Sequence, residues 1–181
     1  MKAGKTFRLS IFVLCLTICI ALNVNAQEMT AGEYEVKAAF LVNFLKFVEW
    51  PRGDVSRTSA CDICVLGHNP FGAALTNMQN TVVAGKRLTT KVCEEPREAK
   101  NCHILFISAS EKDRLSSILE EIKNSHVLTV GDMKGFARAG GVVQFVIEED
   151  KVRFMINIDA ADRAKLKISS KLLRLSRVFR E

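Results

Sequence analysis

The run Cys102-His103-Ile104-Leu105-Phe106-Ile107-Ser108 constrains the fold more than any other stretch of the chain. It is apolar on both alternations, so as a strand it has no face to turn to water. Strands of that kind belong to mainly parallel sheets whose two faces are covered by helices. The flanking sequence supplies the alternation such a sheet needs. Cys61 to Leu66 reads as a strand, the turn Gly67-His68-Asn69-Pro70 follows, and Phe71 to Met78 reads as a short helix that starts after the proline. Lys86 to Cys93 is a second strand. Beyond Ser108, Ser110 is placed to cap a helix with Asp113 three residues on, and Leu115, Ile118, Leu119 and Ile122 repeat at i, i+3, i+4 and i+7. Val127 to Val130 is a further strand, ended by Gly131-Asp132.

On either side the pattern changes. From Tyr34 to Val48 apolar residues crowd almost all round a helix, with Phe40, Phe44 and Phe47 on one side and a narrow polar stripe of Glu35, Asn43 and Lys46. Such a helix is largely buried, and Trp50-Pro51 ends it because the residue before a proline is pushed out of helical geometry. Arg52 to Ala60 is then a polar loop. After Gly140-Gly141, the runs Val142 to Ile147 and Lys151 to Ile158 flank Glu148-Glu149-Asp150 as a β-hairpin. Two helices close the chain, one from about Asp159 to Leu166 and one from Ser169, an N-cap, to Phe179. The expected fold class is α/β, a mainly parallel Rossmann-like sheet with an N-terminal buried helix, a C-terminal β-hairpin and C-terminal helices.

The beginning of the chain adds a location. Lys2, Lys5 and Arg8 precede the apolar stretch Leu9 to Leu22, and Val24-Asn25-Ala26 offers a cleavage site before Gln27. That is the layout of a secretory signal peptide over residues 1–26, leaving residues 27–181 as one domain. No second apolar run is long enough to span a bilayer. All 20 acidic residues lie beyond residue 26, whereas three of the 26 basic ones precede it, so the exported part keeps only about half of the formal +6. A charge that modest gives nucleic-acid binding no support. Cys61, Cys64, Cys93 and Cys102 remain after the leader, an even number in an oxidising compartment; at least one disulfide is expected, with all three pairings open.

Few residues read as chemistry. Cys61-Asp62-Ile63-Cys64 has CxxC spacing, but at the start of a strand, where residues i and i+3 point to opposite faces and are poorly placed to act as one redox couple. His68, His103 and His126 lack metal-ligand spacing, and no nucleophile elbow, phosphate loop or zinc-helix motif is present. No catalytic residue, metal or cofactor is assigned. The candidate ligand-binding residues are those at the carboxyl ends of the parallel strands: Gly67, His68 and Asn69, then Ser108, then Asp132. The candidate partner-binding residues are Lys171, Arg174 and Arg177, spaced by three along the last helix with Arg180.

Several segments read together as one pattern. They are Val36-Lys37-Ala38-Ala39-Phe40, Phe47-Val48-Glu49-Trp50-Pro51, Ile63-Cys64-Val65-Leu66-Gly67 with Pro70-Phe71-Gly72, and Gly85-Lys86-Arg87-Leu88. Cys102 to Ser108, Leu128-Thr129-Val130-Gly131-Asp132, Gly140-Gly141, Phe154-Met155-Ile156-Asn157 and Lys171-Leu172-Leu173-Arg174-Leu175 continue it. In this order, over nearly the whole exported part, they resemble the YfiR family of periplasmic proteins. The resemblance implies a non-enzymatic regulator that binds the periplasmic sensor region of an inner-membrane diguanylate cyclase or sensor kinase. The family's namesake represses such a cyclase, lowering cyclic di-GMP and with it biofilm formation. The resemblance also picks out Cys64 and Cys102 as the disulfide, leaving Cys61 and Cys93 as a second pair; some members carry a further pair near the final hairpin, where this chain has none. A periplasmic small-ligand binding protein and a thiol oxidoreductase are the alternatives, and a homodimer stays open. Non-reducing mass spectrometry of the exported protein is expected to give a mass starting at Gln27 with Cys64 joined to Cys102. A lipidated Cys19 or four free thiols would overturn this reading.

Overall fold

The first helix, α1, runs over residues 32–47 and carries its apolar side chains onto a mixed sheet. The structure, a computed structural model, describes residues 32–51 and 59–180. The expected leader and most of the Arg52 to Ala60 loop lie outside the described residues. From Glu35 to Glu181 the chain forms one compact unit.

After α1 come β1 (Val48–Glu49), β2 (Ala60–Leu66), α2 (Ala73–Thr76), β3 (Val82–Val83) and β4 (Lys86–Cys93). A short 3₁₀ turn (Pro96–Ala99) leads to β5 (Ile104–Ile107), and a second (Ala109–Arg114) leads into α3 (Leu115–Ile122). Then follow β6 (Leu128–Gly131), β7 (Val143–Glu148), β8 (Lys151–Asn157), α4 (Ile158–Arg163), β9 (Lys167–Ile168), α5 (Ser170–Arg174) and β10 (Arg177–Phe179). Eight strands form one sheet in the order β10-β8-β7-β6-β5-β2-β4-β3. Strands β4, β2, β5, β6 and β7 run parallel, and β7 pairs antiparallel with β8. The hairpin turns through Glu149 and Asp150, both at positive φ, the backbone that suits a two-residue turn to the strand twist. β1 and β9 make a separate two-stranded pair.

The register sorts the core into two faces. Ile63, Ile104 and Leu128 align across β2, β5 and β6, as do Val65, Phe106, Val130, Val143 and Ile156 from β2 to β8, with Phe145 beside Phe154. On this face α1 seats its aromatic rings. Phe44 lies 6.0 Å from Phe145 and 5.2 Å from Phe154, and Phe40 lies 6.0 Å and 5.3 Å from the same two rings. On the opposite face Cys64, Leu66, Leu105 and Ile107 pack against Ile118 and Ile122 of α3 and against Phe136. The Phe136 ring lies so close over Gly131 that a Cβ there would come within 2.6 Å of it, and Gly141 gives way to it on the other side.

Three expectations change. The helix proposed from Ser169 to Phe179 ends at Arg174, and residues 177–179 form β10, parallel to β8. The β-branched and aromatic pair Val178-Phe179 finds a ladder partner in Ile156 and Asn157, which outweighs helical periodicity. The helix expected from Ser110 starts instead at Leu115, because Ala109–Arg114 winds as 3₁₀ and the Ser110 hydroxyl is taken by the backbone N–H of His68 at 3.0 Å. Residues 48–49 leave the first helix two residues before Trp50 to pair with β9. Replacing Phe44, fully buried between hairpin and helix, with alanine is expected to destabilise the protein by about 3–5 kcal/mol, read as a lower urea midpoint.

Candidate functional site

With β4 on one side of β2 and β5 on the other, the order of strand addition reverses at the β2/β5 junction. The crevice beyond the carboxyl ends of those strands is where open α/β sheets take ligands. The structure brings most of the sequence candidates to this edge. Gly67, His68 and Asn69 follow β2, Ser108 follows β5, and Asp132 follows β6. Local bonds shape the turns at this edge, while His68 is exposed. Ser108 N donates to Leu66 O at 3.1 Å, Glu111 N to Ser108 O at 3.0 Å, and Phe71 N to Asn69 Oδ1 at 3.0 Å. Gly67, at φ 84°, faces Ser110 and Glu111 so closely that a Cβ would collide with both side chains. Glu111 in turn holds Arg114 at 2.6 Å.

The far part of this edge is filled from α1. Lys37 Nζ donates to Asp132 Oδ2 at 2.6 Å, with the two side chains 4% and 12% exposed. An ammonium that deep is tolerable only beside a carboxylate. Lys37 stands in the resemblance pattern but carries no signal of burial in the sequence, since only the tertiary position of Asp132 explains it.

The cysteines separate into two kinds. Cys64 and Cys102 form a disulfide with Cα atoms 6.2 Å apart, tying β2 to the chain two residues before β5. Cys61 and Cys93 are buried free thiols, so the second pair suggested from sequence is not bridged. The β2/β4 register explains this: Cys61 aligns with Leu88 and Cys93 with Leu66, at opposite ends of the ladder and on opposite faces. Burial pushes both thiols above the ordinary range, the reverse of what a reactive thiolate needs. His103 is a buried imidazole whose Nδ1 accepts from Asp62 N at 3.2 Å, and Trp50 stands edge-on to it at 5.2 Å while donating to its carbonyl. No cluster that could hold a metal ion occurs among the described residues.

The basic residues of the last segment do not share a helix face. Lys171 and Arg174 lie exposed on α5, whereas Arg177, in β10, bonds Glu148 at 2.8 Å. Sequence reasoning passed over Arg138 and Arg163, which come from a loop and from α4 to line one cleft with Lys123. Residues that distant in sequence give no local motif.

A family model described as YfiR/HmsC-like matches residues 34–177. No curated protein matches the chain. Among solved structures, a conserved domain protein from Vibrio cholerae O1 biovar eltor is similar at 8% identity and a TM-score of 0.48, over 70% of this chain and 56% of that one. The ABC domain in complex with L-Trp from Streptococcus pneumonia is similar at 11% identity and a TM-score of 0.47, over 66% and 55%. The chain thus spans about half the length of either. No helix among the described residues is long and apolar enough to cross a membrane.

The buried ion pair generates a test. Lys37→Met, which leaves Asp132 without its cation, is expected to destabilise the protein by about 3–5 kcal/mol, and the double variant Lys37→Met/Asp132→Asn to recover a large part of that loss in urea denaturation. A double variant no more stable than the single one would show that the pair does not govern the cost.

Proposed function

The chain belongs to the YfiR/HmsC-like family, whose members are periplasmic regulators rather than enzymes, and on that premise we propose that it binds the periplasmic sensor region of an inner-membrane signalling protein. The partner is a diguanylate cyclase held in its inactive state, so that binding lowers cytoplasmic cyclic di-GMP. The observation that carries this reading is the family match over residues 34–177, which takes in α1, nearly all of the sheet and both cysteines of the disulfide. The bonds from His68 N to Ser110 Oγ and from Ser108 N to Leu66 O, which tie the β2 turn to the segment after β5, support a structural role for that edge.

Repression of this kind is a difference in affinity. To turn an equilibrium from almost wholly active to almost wholly inactive, the regulator must bind the inactive sensor conformation about ten-thousand-fold more tightly, ~5.5 kcal/mol. The proposed docking residues are Lys171 and Arg174 on α5, with the exposed side of α1 beside Val36 as a second contact. Arg177 serves less well, because its guanidinium is engaged by Glu148.

Deleting the chain in its native host is expected to raise cellular cyclic di-GMP several-fold. The variant Lys171→Glu/Arg174→Glu, exported at normal level, is expected to raise it partway and to weaken binding to the purified periplasmic region of the cyclase. Unchanged cyclic di-GMP on deletion, with no binding to that region, would overturn the proposal.

A further inference from the structure

The eight-stranded sheet ends at β10, whose outer side has no partner strand among the described residues. Asn157 N donates to Val142 O at 2.8 Å, so the backbone of β8 turns toward β7 at Asn157 and toward β10 at Ile156, one residue back. Ile156 aligns with Val178, and in a parallel ladder its bonds go to the residues on either side, Arg177 and Phe179. The N–H and C=O of Val178 therefore point away from the sheet. Its side chain is 53% exposed, and that of Leu175, just before the strand, is 68% exposed. Edge strands are commonly blunted by prolines, bulges, covering loops or charge. Here the device is charge, and the charge has one sign.

Between Leu166 and Arg180 the chain has no acidic residue, while Lys167, Lys171, Arg174, Arg177 and Arg180 recur along it. Arg177 and Arg180 are partly offset by Glu148 and Asp159, at 2.8 and 3.5 Å. Lys171 and Arg174 are exposed on α5 and make no ion pair among the described residues. Leu175 N donates to Leu172 O at 3.1 Å and Ser176 N to Leu173 O at 3.2 Å, so the helix that carries these two cations abuts the start of β10. Attraction from them reaches about 8 Å at physiological salt and needs no fixed side-chain geometry. A second copy of this chain would set the same basic segment against itself, and like charges across a strand pair repel. An acidic strand meets the reverse.

We infer that β10 receives an extended segment of the partner as an added strand, one whose side chains alternate between apolar and acidic. The residue opposite Val178 shares its apolar face, and the residues before and after it share the face of Arg177, which accounts for the alternation. Main-chain bonds to Val178 give attachment, and the side chains on the two faces give selectivity. The inference rests on the regulatory reading and names the feature of the sensor region that is bound.

The probe is the capped synthetic peptide Glu-Val-Glu-Val-Glu-Val, titrated into the ¹⁵N-labelled exported protein at about 0.15 M salt. Saturable shifts are expected in the amides of residues 174–180, and none with the peptide in which lysine replaces glutamate. Val178→Pro removes the outward N–H without removing a ladder bond, a place where an edge strand tolerates proline, and is expected to weaken binding about tenfold. Val178→Ala, which keeps the N–H, is expected to weaken it less, and Lys112→Gln, on an exposed turn, to leave it unchanged. N-methylation of alternate peptide amides tests the same bonds with the protein unaltered: one alternation is expected to abolish binding and the other to spare it. Binding indifferent to Val178→Pro and to either methylation, equal binding of the lysine peptide, or dimerisation through β10 with no peptide bound would each overturn the inference. Binding of the peptide without binding of the cyclase's periplasmic region would overturn the regulatory reading alone, and binding of that region unaffected by Val178→Pro would overturn the added strand alone.

Discussion

The seating of Phe40 and Phe44 among Phe145 and Phe154 joins the first described helix to the last hairpin, and the rest of the sheet is assembled between them. Aromatic pairs with offset or edge-on rings add to the gain from burial alone, so this cluster holds more than its area suggests. It also positions everything attached to α1. Lys37 reaches Asp132 across 95 residues of sequence, Trp50 closes over His103, and Ser169 N bonds Phe47 O at 2.9 Å where β9 joins β1. A sheet covered by so long-range an element folds only when distant parts of the chain have met, which is the cost of non-local topology. The Cys64–Cys102 bridge offsets part of that cost for the loop that contains β4 and α2, by limiting the freedom of the unfolded chain.

The two faces of the sheet are used differently. An open α/β sheet offers its switch point as a binding crevice, and here Ser110, Glu111 and Arg114 hold that edge against the β2 turn while Lys37 is drawn in beside Asp132. The side chains that complete the edge come from a 3₁₀ stretch in place of a regular helical start. A regular helix N-terminus at Ser110 would have left backbone N–H groups facing the crevice, the usual anion site of such folds. Arg138 and Arg163, both exposed, line a separate cleft beside the end of α3.

The parts of this arrangement legible in sequence were those set by local pattern. Lys86–Cys93 lies where its alternation places it, and the apolar run around Ile104–Ile107 is buried on both sides. Asn157 and Ser169 both cap helices through their side chains, although only Ser169 announces itself, by standing just before an amphipathic turn. β3 and β10 escaped notice because two- and three-residue strands have no period to read; their partners on β4 and β8 decide them. The disulfide was legible through family resemblance, since spacing alone left three pairings equal. The burial of Lys37 and the shared cleft of Arg138 and Arg163 were not legible, because both are facts of the tertiary structure with no counterpart in neighbouring residues.

The short helix α4 connects these regions. Its cap, Asn157, ends β8 and braces the 137–142 loop; Arg163 on it faces the cleft; and Asp159 meets Arg180 at 3.5 Å, just beyond β10. The ion pairs of Arg177 and Arg180 are largely exposed and contribute little, about 0–1 kcal/mol each, so β10 is held chiefly by its ladder with β8. Beyond α4 the chain enters β9, pairs with the strand that follows α1, and then forms α5. The end of α4 is thus tied to the segment that carries Lys171 and Arg174 through β9. The Asn157 cap and the buried residues Ala160 and Ala161 anchor α4 to the end of β8, so a partner bound at α5 would act on the sheet only by shifting that anchored helix.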